Sequence, residues 1–181
     1  MALPQEKLYT IDDIYALPYG KRAELIDGQI YDMAPPNTNH QRISYAIARK
    51  ISDYIDKKKG NCEVFLAPFA VFLNKDDSNY VEPDVSVICD KSKLDEKGCN
   101  GAPDWIIEVT SPSNPQHDYG VKLFKYRTSG VREYWIINPQ KLSVMVYDLE
   151  NDKKSNQYSF DDDISACVYE DLHIIISELL K

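Results

Sequence analysis

The order of apolar and polar residues along the chain predicts an α/β domain, a mixed β-sheet flanked by α-helices. Three observations carry that expectation. In NTNHQRISYAIARKISDYIDKKKG, residues 37–60, Ile43, Ala46, Ile47, Ile51, Tyr54 and Ile55 recur at helical spacing. Several short runs rich in β-branched and aromatic residues, such as DWIIEVT and VREYWIINP, suit a packed, pleated surface. Between those two runs lies a second helical stretch, HDYGVKLFKYRTSG, residues 117–130.

From the N-terminus, TIDDIYALP (10–18) reads as a short helix, with Thr10 as N-cap, an acidic first turn and Pro18 as a stop. Asp27-Gly28 is a hairpin signal between AELI and QIYDMA, which places Glu24 on the first arm. Asn37 or Thr38 caps the long helix, and Lys57 to Lys59 with Gly60 close it. CEVFLAPFAVFL (62–73) and YVEPDVSVIC (80–89) follow as strand-like runs, divided by the polar turn NKDDSN. After the loop DKSKLDEKGCNGAP comes the strand DWIIEVT, and TSPSNPQ leads into the helix at 117–130. VREYWIINP (131–139) and LSVMVYDLE (142–150) read as a hairpin, with further short strands around 157–170.

Length and composition narrow the possibilities. At 181 residues, with 43% hydrophobic and 28% charged residues and no linker-like stretch, residues 1–181 read as a single globular domain. No apolar run approaches the length of a membrane span, and MALPQEKLYTIDD lacks the pattern of a secretory leader, so a cytoplasmic location is expected. Cys62, Cys89, Cys99 and Cys167 show no CxxC spacing, which disfavours a zinc site. Cys62 and Cys89 read as reduced, small apolar residues within strands. The net charge of −8 opposes passive adhesion to nucleic acid, although clustered carboxylates that bind cations contribute to that balance.

The residue that needs explaining is Glu108. Strict alternation puts Trp105, Ile107 and Val109 on one face of their strand and Ile106, Glu108 and Thr110 on the other. Both faces begin apolar, so both are expected to be covered, and an ionised carboxylate there costs several kcal/mol unless something compensates it. Pro83, which lacks an N–H, interrupts pairing just before Asp84 and the buried-type run Val85, Val87, Ile88. Asp84 and Glu108 facing each other across neighbouring strands would repel. A divalent cation bound by both, or Lys122 or Lys125 from the following helix, would resolve the conflict. A strand end that reaches water, or a simple Glu–Lys pair, answers the same pattern.

The stretches AELIDGQIYDMAPP, HQRIS, EPDVSVICD, GAPDWIIEVTSPSN and KLFKYRTSGVREYWIINP, in this order between about residue 21 and about residue 147, closely resemble the Uma-two family of restriction-endonuclease-like proteins. The resemblance implies the PD-(D/E)XK nuclease fold, with a metal site at the centre of its sheet. Position by position, Pro83-Asp84 is similar to the PD element, Glu108 to the second acidic residue and Glu24 to an additional acid near the metal. The wider superfamily carries a lysine two residues after that second acid, where this chain has Thr110. Uma-two relatives lack that strand lysine too. A helix lysine takes its place in the comparison, here Lys122, with Lys125 as second choice.

The resemblance thus implies an Mg2+- or Mn2+-dependent endonuclease acting on DNA and leaving 5′-phosphate and 3′-hydroxyl ends. Asp84, Glu108, Glu24 and the Val109 carbonyl are the expected metal ligands, and Lys122 is the expected catalytic cation. His40 and Gln41 open the long helix, where they are candidates for contact with a phosphate or with the site. Tyr126, Tyr134 and Trp135 read as core residues, and Arg127 and Arg132 either as a solvated face or as contacts to a DNA backbone. Cleavage of both strands of a duplex is simplest with two sites, so a homodimer is expected. Two other readings stay open: a nuclease-fold protein without turnover that serves a structural or binding role, and a hydrolase of another kind, such as a glycosidase with paired carboxylates, indifferent to EDTA.

Overall fold

The computed structural model describes residues 7–111 and 115–181. The leading MALPQE and part of the TSPSNPQ connection, on which the leader and loop expectations partly rest, lie outside those residues.

Helix α1 (Ile11–Tyr15) starts at Thr10, whose backbone N–H donates to the Asp13 carboxylate at 2.8 Å. Strands β1 (Ala23–Ile26) and β2 (Gln29–Asp32) form the expected hairpin. Asp27 and Gly28 turn it with φ of 49° and 76°, the left-handed pair that an Asp-Gly turn accommodates. Helix α2 (Thr38–Lys58) is capped by Asn37, whose side chain accepts the His40 N–H at 2.9 Å. The left-handed closing residue of α2 is Lys59, at φ 52°, rather than Gly60.

The run 62–73 is not one strand. Pro68 removes a ladder donor and separates β3 (Glu63–Leu66) from β4 (Val71–Phe72). Pro83 divides the next run as expected: Tyr80 and Val81 bridge to Leu25 and Val71, while β5 (Val85–Ile88) enters the main sheet. Strand β6 (Cys99–Asn100) pairs with β4, and β7 (Trp105–Val109) is the strand carrying Glu108.

The helical segment after β7 is also less regular than its sequence suggests. A short α3 (Pro115–His117) runs into a π-helical turn at Asp118–Lys122 and then into α4 (Leu123–Ser129), which ends at left-handed Gly130. Strands β8 (Glu133–Asn138), β9 (Ser143–Asp148) and β10 (Asn156–Ser159) follow, then β11 (Ile164–Ser165), β12 (His173–Ile174) and α5 (Ile176–Leu179).

The main sheet has six strands in the order β10-β9-β8-β7-β5-β3, parallel only between β7 and β8. The helical segment α3–α4 makes the crossover that this parallel pair requires. Alternation along β7 then decides which core each residue joins. Trp105, Ile107 and Val109 pack with Ile43, Ile47 and Ile51 of α2, while Ile106 packs on the opposite face with Tyr126, Tyr134 and Ile136. Both faces are covered, so Glu108 lies on a central strand and is buried.

One expectation is overturned in the same sheet. Cys62 and Cys89 form a disulfide rather than two free thiols. The antiparallel register of β3 with β5 opposes Glu63 to Ile88, so the next residues outward, Cys62 and Cys89, stand directly across from each other. Cys99 and Cys167 are free. No helix among the described residues is long and apolar enough to cross a membrane.

Candidate active site

Strand β1, helix α2, the start of β5, strand β7 and the α3–π-helical segment converge on one cavity of about 520 Å³, whose lining includes Glu24, His40, Gln41, Asp84, Glu108, Val109, His117, Asp118 and Lys122. Asp84 and Glu108 arrive on the adjacent strand ends of β5 and β7, where the break at Pro83 frees the Asp84 side chain to reach across. Asp84 Oδ2 accepts the Val109 N–H at 2.7 Å and lies 3.0 Å from His40 Nε2, while the Asp84 N–H points to Glu108 Oε2 at 3.4 Å. Glu24 comes from the separate β1–β2 hairpin, held there by the Glu82 N–H at 3.1 Å.

Lys122 supplies the central cation. Its Nζ is 2.9 Å from both Glu24 Oε2 and Glu108 Oε1, and 3.8 Å from Asp118 Oδ1. All four side chains are buried. The π-helical turn matters here, since its wider winding carries both Asp118 and Lys122 inward to the same point, as such turns often do at functional sites. Lys125 goes elsewhere: its Nζ binds Asp27 Oδ1 of the hairpin turn at 2.5 Å, and it does not line the cavity. The structure thus brings Lys122, and not Lys125, to the carboxylates.

Burial and charge set the protonation of this cluster. Burial pushes the Glu24 carboxyl up, but the Lys122 ammonium and several hydrogen bonds outweigh it and hold the group at about 2. Glu108 goes the other way. Burial raises it well above the ordinary carboxylate range, and Asp84, Glu24 and Asp118 add repulsion that one ammonium cannot cancel. Asp118 is raised for the same reasons. Burial opposes the charge on Lys122, yet its carboxylate neighbours dominate and hold its pKa well above normal, so it stays cationic. His40 likewise is raised, because its bond to Asp84 outweighs its burial.

Residues that the sequence reading passed over complete the cluster. Tyr126, read there as core, is indeed buried, and its hydroxyl donates to Glu108 Oε1 at 2.7 Å. Asp118 stands beside Lys122, and His117 Nε2 lies 3.9 Å from Glu24 Oε2 with its ring against Tyr31 at 4.3 Å. A signal for two of them was present, because Asp118, Lys122 and Tyr126 follow one another at intervals of four residues, the spacing of one helix face. Arg127 and Arg132 are tied to acidic side chains instead, Arg127 to Asp152 and Arg132 to Asp104 and Glu150.

The donor set suits a hard divalent cation. Five carboxylates, Glu24, Asp84, Glu108, Asp118 and the exposed Asp32, border the cavity against the buried Lys122 ammonium and an Arg22 guanidinium already paired with Glu82, and oxygen donors with surplus negative charge are what magnesium and manganese take. His40 Nδ1 and His117 Nε2 are buried beside them with no hydrogen-bond partner among the described residues. The carboxylates are drawn onto Lys122, His40 and Tyr126, however, and among the described residues no three His, Cys, Asp or Glu side chains close around one point. The residues fit the ion by chemistry and charge, and Lys122 lies among them.

Comparison with known proteins agrees with this architecture. The chain is 28% identical over 133 residues to the uncharacterized protein slr1290 of Synechocystis sp. (strain ATCC 27184 / PCC 6803 / Kazusa), covering 73% of this chain and 68% of that one. A second protein of the same organism, the uncharacterized protein sll1609, is 28% identical over 121 residues, 65% of this chain and 67% of the relative. The fold matches the crystal structure of a "putative nuclease belonging to DUF820" from Anabaena variabilis ATCC 29413, with a TM-score of 0.75, 23% identity, and 94% and 97% of the two chains covered. The model of the Uma2 family, described as "Putative restriction endonuclease", matches residues 11–172. This protein, with its six-stranded mixed sheet and its lysine-centred carboxylate cluster, belongs to the Uma2 family.

Proposed function

We propose that the protein is a divalent-metal-dependent endonuclease that hydrolyses phosphodiester bonds of DNA, with Asp84, Glu108, Glu24 and the Val109 carbonyl holding Mg2+ or Mn2+. The observation that carries this reading is the surplus of carboxylate in the cavity, where Glu24, Glu108 and Asp118 surround the one Lys122 ammonium and Asp84 stands beside Glu108. When bound there, such an ion supplies Lewis-acid polarisation of a phosphoryl oxygen and a lowered pKa for attacking water.

The chain's own groups do the remaining work. Lys122, kept cationic by its neighbours, is placed to hold a water against the phosphorus or to stabilise negative charge developing on the phosphoryl oxygens. Asp84 is fixed in its orientation toward the cavity by the Val109 N–H and His40. Tyr126 and the strand backbone prevent Glu108 from swinging away, so that the two acids stay on adjacent strand ends. His40 and Gln41 line the cavity, where they are placed to contact a phosphate of the substrate.

Cleavage of plasmid and linear DNA with and without Mg2+ or Mn2+ tests this, for the wild type and for Asp84→Ala and Glu108→Ala. Activity that requires the ion and vanishes in both variants is expected. Retained cleavage in either purified, folded variant refutes the assignment. One observation favours a second reading, a nuclease fold retained for binding without turnover: the Lys122 ammonium itself lies against both Glu24 and Glu108 and offsets their charge. Isothermal titration with Mg2+ and Mn2+ discriminates, because that reading requires no binding heat in the wild type, with or without DNA.

A further inference from the structure

Outside the cavity, a single face of α2 concentrates positive charge that forms no ion pair among the described residues. Arg42 and Arg49 are exposed and make no ion pair or hydrogen bond with any described residue. The other arginines, Arg22, Arg127 and Arg132, are each bound to carboxylates, in a chain with 29 acidic against 21 basic residues. Free arginines on an acidic protein therefore stand apart from the pattern elsewhere. Between them projects Tyr45, a large aromatic side chain that is 59% exposed.

These residues are aligned with the cavity. At 3.6 residues per turn, Gln41, Arg42, Tyr45 and Arg49 occupy a sector of about 100° on α2, opposite the buried stripe of Ile43, Ile47 and Ile51. The stripe begins at the cavity mouth, since His40 and Gln41 are lining residues, and it ends where Asp53 and Asp56 restore negative charge. Arg42 and Arg49 are about 10 Å apart along the axis, a length of about three nucleotide steps at about 3.4 Å each. Guanidinium groups flanking an exposed aromatic ring form the combination that grips a phosphodiester backbone while stacking a base.

We propose that the Gln41–Arg42–Tyr45–Arg49 face of α2 is the track along which a nucleic-acid strand leaves the cavity, with Arg42 and Arg49 on phosphates about three steps apart and an unpaired base against Tyr45. The inference rests on the endonuclease reading and adds to it a preferred substrate, one with a single-stranded segment next to the scissile bond. A stacking base must be free of its duplex partner, which is why the ring selects unpaired nucleotides.

The test is fluorescence anisotropy in EDTA, with labelled oligothymidylate and a labelled duplex as probes. The proteins are the wild type, Arg42→Glu/Arg49→Glu and Tyr45→Ala, each first shown to be folded by circular dichroism. The double variant is expected to bind both probes about tenfold or more weakly, with the slope of log affinity on log salt reduced by about two. Tyr45→Ala is expected to lose about fivefold or more on oligothymidylate and less on the duplex. Unchanged affinity and salt slope in the double variant overturn the track while leaving the catalytic reading to the Asp84 and Glu108 variants. Equal losses on the two probes for Tyr45→Ala overturn the unpaired base. No binding of either probe by the wild type at low salt also overturns the track, and only the absence of metal-dependent cleavage would remove the endonuclease reading with it.

Discussion

Lys122→Met keeps an unbranched apolar stem, one atom shorter, but deletes the charge on which the cluster depends. Each of its 2.9 Å contacts, with Glu24 and with Glu108, amounts to about 6 kcal/mol of attraction at an effective dielectric of about 20. Desolvation of three buried ions consumes most of that, so the intact cluster is close to neutral for stability. Removing one partner is a different matter, because two buried carboxylates then face each other uncompensated, and the expected loss is about 3–5 kcal/mol.

The sign of its pH dependence follows from Glu24. Its folded-state pKa of about 2 lies below the ordinary 4.5, so the stability contributed by the ammonium is fully present above 4.5 and disappears as pH falls toward 2. Glu108, already displaced upward, takes a proton readily in the variant and softens the loss in mildly acidic solution. Urea unfolding followed by circular dichroism, in EDTA and at a series of pH values, should show a wild-type-to-variant gap that is largest at neutral pH and closes in acid. Added Mg2+ or Mn2+ should narrow the gap at neutral pH, by about 2.7 kcal/mol at a hundredfold excess over Kd, if the carboxylates accept the ion in place of the ammonium. A gap below about 1 kcal/mol at neutral pH, or one that does not change with pH, would refute the account of Lys122 as the cation that makes the cluster possible.

Other substitutions probe the surroundings. Tyr126→Phe leaves the ring packed edge-on to Tyr134 but removes the donor to Glu108, and should lower stability in urea by about 1.5–3 kcal/mol; a change below about 0.5 kcal/mol would mean that the bond is not formed. Glu133 is buried and its carboxyl is pushed above 4.5 by that burial, against the bonds it accepts from the Cys167 and Val168 N–H groups and the Trp135 indole. Its contribution is therefore fully present below 4.5 and is lost as pH rises through the raised value. Glu133→Gln should flatten that fall and, because an amide NH2 now meets a backbone N–H, cost about 1–3 kcal/mol at neutral pH, as read from urea midpoints across pH. Closing a loop across a separation of 27 residues, the Cys62–Cys89 disulfide should stabilise the fold by about 3–4 kcal/mol. Reduction, or Cys62→Ser with Cys89→Ser, should remove that amount, and alkylation in denaturant before reduction should label Cys99 and Cys167 alone in the mass spectrum.

Local structure was written in the chain itself, because it depends on interactions within a few residues. Asp27-Gly28 sets the first hairpin through φ alone, Asn37 caps α2, and the alternation of Trp105, Ile107 and Val109 against Ile106 and Glu108 assigns two cores to one strand. Even the conflict at Glu108 was legible, since a carboxylate on a doubly covered strand has to be answered by something. What answers it depended on the tertiary structure. Strand order places Asp84 beside Glu108, the bridge from Leu25 to Tyr80 brings the Glu24 hairpin alongside, and a π-helical turn selects Lys122 over Lys125 while delivering Asp118. The pairing of Cys62 with Cys89 likewise required the β3–β5 register, and Pro68 split a run whose composition reads as continuous. Periodicity and capping act over a turn or a pleat and can be read from neighbouring residues, whereas register and strand order are set by the burial of many residues at once. The carboxylates of this site, scattered over nearly a hundred positions between Glu24 and Asp118, meet only as a consequence of that collective packing.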